Sequence, residues 1–218
     1  MKILDLFCGV GGASMGYARA GFEVTGVDLK HGKRYPFGNY IRRDVMTLDV
    51  EFLRQFDAIH ASPPCQTHSI TKNLRIAQGK NTSKLDLIEP VRLMLQASGL
   101  PYVIENVVGA PLIDPITVCG SAFGLKVRRH RLFESNVPLQ GTVCDHKTQG
   151  RPIGVYGSLN DEIPNGGKTA TSIEQARDAM GIQWAIWSEL VEAIPPHYTE
   201  WIGRQLSTAI RTACATRR

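Results

Sequence analysis

The chain has 218 residues, of which 43% are hydrophobic and 21% charged, and carries a formal net charge of +5. That length accommodates one domain with a sizeable core and leaves no room for a second of ordinary size. No apolar run approaches the roughly 18 residues of a membrane span, Asp5 interrupts any signal-peptide core, and five dispersed cysteines do not read as a disulfide framework.

A cytoplasmic protein with reduced thiols and no membrane partner is therefore expected, and the positive charge permits an anionic one. In chain order, residues 2–7 predict a short apolar strand. The turn Cys8-Gly-Val-Gly-Gly12 follows, then a helix stopped by Gly21 and a second strand over 22–28 ending on an acid. Strand, glycine turn, helix and strand within thirty residues make a βαβ unit, hence a parallel sheet with a right-handed crossover. Further strands are predicted at 40–43, 56–61, 102–107, 116–119 and 132–135. A helix over 85–98 is stopped by Gly99. Residues 67–84 form a long polar, basic loop, a length usual for functional segments. Residues 136–168 read as an irregular insert with one hairpin near 153–156, and two helices are expected at 172–180 and 198–213. The fold class is α/β, a doubly wound, mostly parallel sheet.

Four segments carry chemistry. The turn after Asp5 lets backbone approach a ligand and offers the free N–H groups of a helix start. It lacks the third glycine of the dinucleotide fingerprint, where Ser14 stands, and the lysine of a phosphate loop. That suits a nucleoside ligand without polyphosphate, with Asp28 placed to accept from ribose hydroxyls; a plain tight turn and a solvated acid are the bland alternatives. Ala61-Ser-Pro-Pro-Cys-Gln66 holds a thiol on a stiffened strand end. Glu105, at the end of an apolar strand, would lie in a cleft if the fourth and fifth strands are neighbours, and burial would raise its pKa toward proton donation; a cap or structural ion pair would leave the same letters. In Val127-Arg-Arg-His-Arg-Leu-Phe133, alternation would send Arg129 and Arg131 to one side, unless this is only an exposed basic edge.

In this order the segments DLFCGVGGASMGYARAGF, SPPCQ, ENV, RRHRLF and IPPHYTEWIG closely resemble the cytosine-carbon-5 DNA methyltransferase family. The likeness covers the chain except residues 136–168. It implies a Rossmann-like, S-adenosylmethionine-dependent methyltransferase fold acting on duplex DNA. By that resemblance Phe7, Gly9, Gly11, Gly12 and Pro63 would line S-adenosylmethionine, with Asp28 on its ribose and Asp44 on its adenine. Cys65 would attack carbon 6 of a flipped-out cytosine while Glu105 protonates ring nitrogen 3. Arg129 and Arg131 would hold the base and the Cys65 loop. Gln66, Ser69, Lys72, Arg75 and Lys80 would grip DNA, offsetting the few kcal/mol that flipping costs.

The resemblance also implies a division into a catalytic core (1–135), a shortened target-recognition insert (136–168) and C-terminal helices completing the core (169–218). Gln149 and Arg151 are candidate base readers in that insert. Val127 stands where the family's arginine motif opens on glutamine. Arg204 stands where it usually has asparagine beside the cofactor. Arg204 is expected either to turn away toward an acid or, as a cofactor contact, to favour a carboxylated S-adenosylmethionine and carboxymethyl transfer. A tRNA-methylating branch shares the motifs and stands as the alternative substrate class. A monomer of phage or mobile-element type, beside a cognate restriction system, is the biological expectation. Cys144-Asp-His146 with Cys119 and His130 lacks any paired metal-ligand spacing, so loop or core residues and no metal are expected.

Overall fold

The computed structural model describes residues 1–64, 86–163 and 167–216. Its centre is a seven-stranded sheet in the order β3-β2-β1-β4-β5-β7-β6. The strands are β1 (Lys2–Leu6), β2 (Glu23–Asp28), β3 (Tyr40–Arg42), β4 (Ala58–Ala61), β5 (Tyr102–Asn106), β6 (Ile116–Val118) and β7 (Arg131–Ser135). Pairs from β3 through to β5 are parallel, and β7 runs antiparallel to both neighbours. The expected mostly parallel sheet is what forms, and its one reversed strand carries the arginine motif.

Side chains alternate between two cores because successive strand residues face opposite sides. Ile3, Val24, Ala58 and Val103 enter one apolar cluster. Leu4, Leu6, Val27, Ile59, Ala61 and Ile104 enter the other. The first is covered by α1 (Gly12–Arg19), α5 (Ile173–Met180), α6 (Trp187–Glu192) and α7 (Pro196–Ala215). The second lies under α2 (Val50–Leu53) and α3 (Ile88–Ser98), completing the doubly wound arrangement.

Register then fixes where a site can be. Leu6 pairs with Ala61, and Ala61 with Ile104. The residues immediately beyond that row, Phe7, Ser62 and Glu105, thus emerge together at the carboxyl edge. The chain order reverses between β1 and β4, the place where open α/β sheets bind ligands.

One expectation needs correcting. No hairpin forms at 153–156. Instead β8 (Ile153–Gly154) pairs in parallel with β10 (Gly167–Thr169), which pairs antiparallel with β9 (Glu162–Ile163). A short helix, α4 (His146–Gln149), is capped by Asp145, whose carboxylate accepts from Thr148 N–H. Val155 is buried within the first core, so this region is packed onto the sheet. Among the described residues, no helix is long and apolar enough to cross a membrane.

Candidate active site

The glycine turn wraps the end of β1 in strained backbone. Phe7 has φ of 61°, a conformation costly for an aromatic residue and typical of sites that must aim their backbone. Gly9 (φ 52°) and Gly11 (φ 81°) are also left-handed. A side chain at Gly9 would meet nothing within 4 Å, so open space lies above it, whereas one at Gly11 would strike Pro36 at 2.8 Å. Asp28 closes the turn by accepting from Gly9 N–H and Lys30 N–H, both at 2.9 Å. Trp184 Nε1 pins it from outside by donating to the Val10 carbonyl at 2.7 Å. Gly12 needs a second explanation. Its absent side chain makes way for the Ile194 carbonyl, 2.3 Å from where Cβ would lie, so it serves helix packing as well as the turn.

Below the turn, Asp5 is completely buried, and burial pushes its pKa up to about 7. One carboxylate oxygen accepts from the Ser14 hydroxyl, which accepts from Tyr35 at 2.9 Å; the other has no hydrogen-bond partner. Asp44 is exposed and caps the turn Val45–Thr47, accepting from Met46 N–H at 2.9 Å. A turn with left-handed glycines, open space above Gly9, Asp28 at its rim and no lysine or arginine within residues 5–12 fits a nucleoside and not a polyphosphate. Phe7, Gly9, Gly11 and Asp28 are thus the residues that could hold S-adenosylmethionine.

The second half of the site lies across β4 and β5. Glu105 is 4% exposed, and burial raises its pKa against the lowering effects of Arg131, the Ser62 hydroxyl and Arg129. Arg131 Nε stands 3.1 Å from Glu105 Oε1. Asn106 Nδ2 donates to the Pro63 carbonyl at 3.0 Å, tying the end of β5 to the double-proline turn. His60 stands behind it, between Tyr17 Oη at 3.0 Å and Ser62 Oγ at 2.9 Å. Complete burial lowers the pKa of His60 to about 3, so the ring is neutral. A buried polar chain therefore runs Tyr17–His60–Ser62–Glu105–Arg131. Ser62 and His60 of this chain, and Asn106 beside it, were absent from the expected site, although strand-end position alone marks Ser62 and Asn106.

Cys65, Gln66, Ser69, Lys72, Arg75 and Lys80 lie outside the described residues. The described contacts bear on three further expectations. Arg129 has φ of 30°, which breaks the alternation that would have paired it with Arg131. Its guanidinium donates to the carbonyls of Val155, Leu190, Val191 and Ala193, fastening the motif to the end of α6, while its charge also lowers the pKa of Glu105. Gln149 is not free to read DNA: it donates to the Leu125 and Val127 carbonyls at 2.9 and 3.0 Å and accepts from Arg128 at 3.1 Å. Arg204 pairs with Glu200 at 2.7 Å on α7. Pro196 packs beside Gly16 and Gly203 beside Ala20, so α7 runs away from the glycine turn. At 1.5 Å per residue Arg204 is about 12 Å along the helix from Pro196. Arg204 thus turns toward an acid, one of its two expected placements, and the carboxylated cofactor loses its motivation. Arg151 is exposed.

Residues 1–110, half of the chain, match the C-5 cytosine-specific DNA methylase family. The chain belongs to this family. The family implies S-adenosylmethionine as the methyl donor. Similar proteins include the type II methyltransferase M.DdeI of Desulfomicrobium norvegicum, 33% identical over 120 residues that make up 50% of this chain and 28% of the relative. M.FnuDI of Fusobacterium nucleatum is 33% identical over 116 residues, 50% of this chain and 33% of that protein. The chain thus spans about a third or less of these relatives' length. In fold it is similar to the crystal structure of an E. coli prophage protein described as a DNA modification methyltransferase. The TM-score is 0.67 at 16% identity, over 97% of this chain and 99% of that one.

Proposed function

We propose that this protein transfers a methyl group from S-adenosylmethionine to carbon 5 of cytosine in duplex DNA. The observation that carries this reading is Glu105: a buried carboxyl with a raised pKa, at the carboxyl edge between β4 and β7. It is linked through Ser62 to the strand that leads into Pro63-Pro64-Cys65.

S-adenosylmethionine supplies an electrophilic methyl group on a sulfonium. The protein supplies the rest. Cys65 attacks carbon 6 of an extruded cytosine, and protonated Glu105 shares its proton with ring nitrogen 3, which makes carbon 6 electrophilic and carbon 5 nucleophilic. After transfer, carbon 5 loses its proton, Cys65 is expelled and 5-methylcytosine is released. Arg131 keeps Glu105 aimed and limits how far its pKa rises. Asn106, by holding the Pro63 carbonyl, sets where the thiol begins its reach. Asp28 and Asp44 accept from the ribose and adenine.

The basic segment around Ser69, Lys72, Arg75 and Lys80 grips phosphates, and residues 136–168, with Arg151 exposed, act as a recognition segment that reads a short site. The protein acts as a monomer on DNA, and the naming of its relatives as type II methyltransferases supports a role beside a restriction system. Incubation with labelled S-adenosylmethionine and either duplex DNA or tRNA tests the reading. Label on duplex cytosines, absent from the Glu105→Gln variant, is expected; label on tRNA alone would contradict it.

A further inference from the structure

Outside this site, four soft and borderline ligands from separate parts of the sequence converge. Cys119 follows β6, His130 precedes β7, and Cys144 and His146 stand at the start of α4. One donor atom from each lies within 4.8 Å of all the others. Cys119 Sγ is 3.5 Å from His146 Nε2, and Cys144 Sγ is 3.3 Å from His130 Nε2. The two imidazoles meet edge to face at 77° with centroids 5.2 Å apart.

A tetrahedral zinc with bonds of ~2.3 Å to sulfur and ~2.0–2.1 Å to nitrogen separates its donors by roughly 3.3–3.8 Å. The observed sulfur–nitrogen spacings already match, and the widest pair needs to close by about 1 Å. We propose that Cys119, His130, Cys144 and His146 form a structural zinc site that clamps the α4 segment to the arginine motif.

Charge and second-layer contacts favour this ion. Two thiolates and two neutral imidazoles leave a zinc centre uncharged, which suits a place close to Arg128 and Arg131; the two thiol protons are released on binding. The Ser121 hydroxyl lies 3.1 Å from Cys119 Sγ, within reach to donate to a thiolate, and itself accepts from Asp145 N–H at 3.0 Å. A closed set of two sulfurs and two nitrogens selects zinc over magnesium or calcium, which take oxygen. With all four positions filled by protein, the metal holds structure and activates no water. His130 sits between Arg129 and Arg131, so the ion joins the turn that carries the Glu105 partner to the proposed recognition segment. No sequence spacing announces this. The ligands are brought together by β6 and β7 pairing and by the folding of the insert.

The full chain, purified without a metal-binding tag and under reducing conditions, should retain one zinc per molecule. The Cys144→Ser/His146→Ala double variant, whose ligands lie on the surface side of the site, should retain none, while His31→Ala retains the metal. Cobalt substituted into the wild-type chain should give the intense red-region absorption and thiolate charge-transfer bands of a tetrahedral sulfur–nitrogen site. This readout holds even if the double variant fails to fold. Chelation should lower the melting temperature of wild type, and zinc should restore it. Zinc content near zero, zinc kept equally by the double variant, six-coordinate cobalt spectra, or a Cys119–Cys144 disulfide that forms in place of metal uptake would each overturn the proposal. None of these readouts depends on methyl transfer.

Discussion

Glu105 combines two opposed environments: a buried site that favours the neutral acid and a guanidinium that favours the carboxylate. Burial is the larger effect, and the carboxyl keeps its proton to higher pH than an exposed glutamate does. The proposed reaction needs that proton while it also needs the Cys65 thiolate, so the rate should rise and then fall with pH. One of the two ionisations belongs to Glu105. Arg131 lowers the pKa of Glu105, so Arg131→Gln should move that ionisation to higher pH, and Glu105→Gln should remove it from the profile while lowering kcat by roughly 10²–10⁴. A pH–rate series on the three proteins checks both. A second residue-scale prediction concerns Asp5. Its pKa is raised from 3.8 to about 7, so the unfolded chain loses this proton first and the fold is weakened as pH climbs through that range. Asp5→Asn should therefore gain stability relative to wild type between pH 4 and 7, on the order of 4 kcal/mol. Denaturant midpoints across that range measure it, and parallel curves for the two proteins would refute it. Glu105 and Asp28 were legible in the sequence because strand ends are. Arg129 was not, since a positive φ cancels the alternation on which its side was inferred.

At the scale of elements, α1 and α7 approach so closely that glycine replaces side chains along the contact. A methyl at Gly16 would stand 2.1 Å from the Pro196 carbonyl and from Thr199 Oγ1, and Thr199 itself donates to the Ala13 carbonyl at 2.8 Å. Gly16→Ala should cost about 1–3 kcal/mol through overpacking, read as a drop in melting temperature. It should also weaken cofactor binding, because α7 enters through Ile194, whose carbonyl abuts Gly12 in the turn. The long strands and helices were readable from apolar runs closed by glycine or acid. The short pieces were not. α2, α4 and α6 span four to six residues, too few for a periodic signal, and β8 to β10 have two or three residues each. Their existence depends on partners distant in sequence, as when Ile153 N–H donates to the Lys126 carbonyl.

Across the whole molecule, the sheet order and single reversed strand place cofactor turn, double-proline turn and Glu105 along one edge, and five ordered motifs made that edge visible before any coordinate. What the motifs left hidden is how residues 136–168 attach. They join the first core through Val155 and α7 through Gln140, which accepts from Trp201 and Gln205. That anchoring presents Arg151 outward as the proposed DNA contact. Arg151→Ala should weaken duplex binding and reduce the salt slope of affinity by about 1 if it meets a phosphate. An unchanged slope would assign it to base reading or to neither.

The most direct trial of the account uses duplex DNA whose target cytosines carry fluorine at carbon 5, incubated with the full chain and S-adenosylmethionine. Fluorine cannot leave as a proton does, so the thiol that attacks stays bonded to carbon 6. Mass spectrometry of the digested complex should locate the nucleotide on the peptide containing Cys65, and Cys65→Ala should form no adduct. An adduct on another cysteine, or none from a protein that still methylates the unfluorinated duplex, would contradict the mechanism.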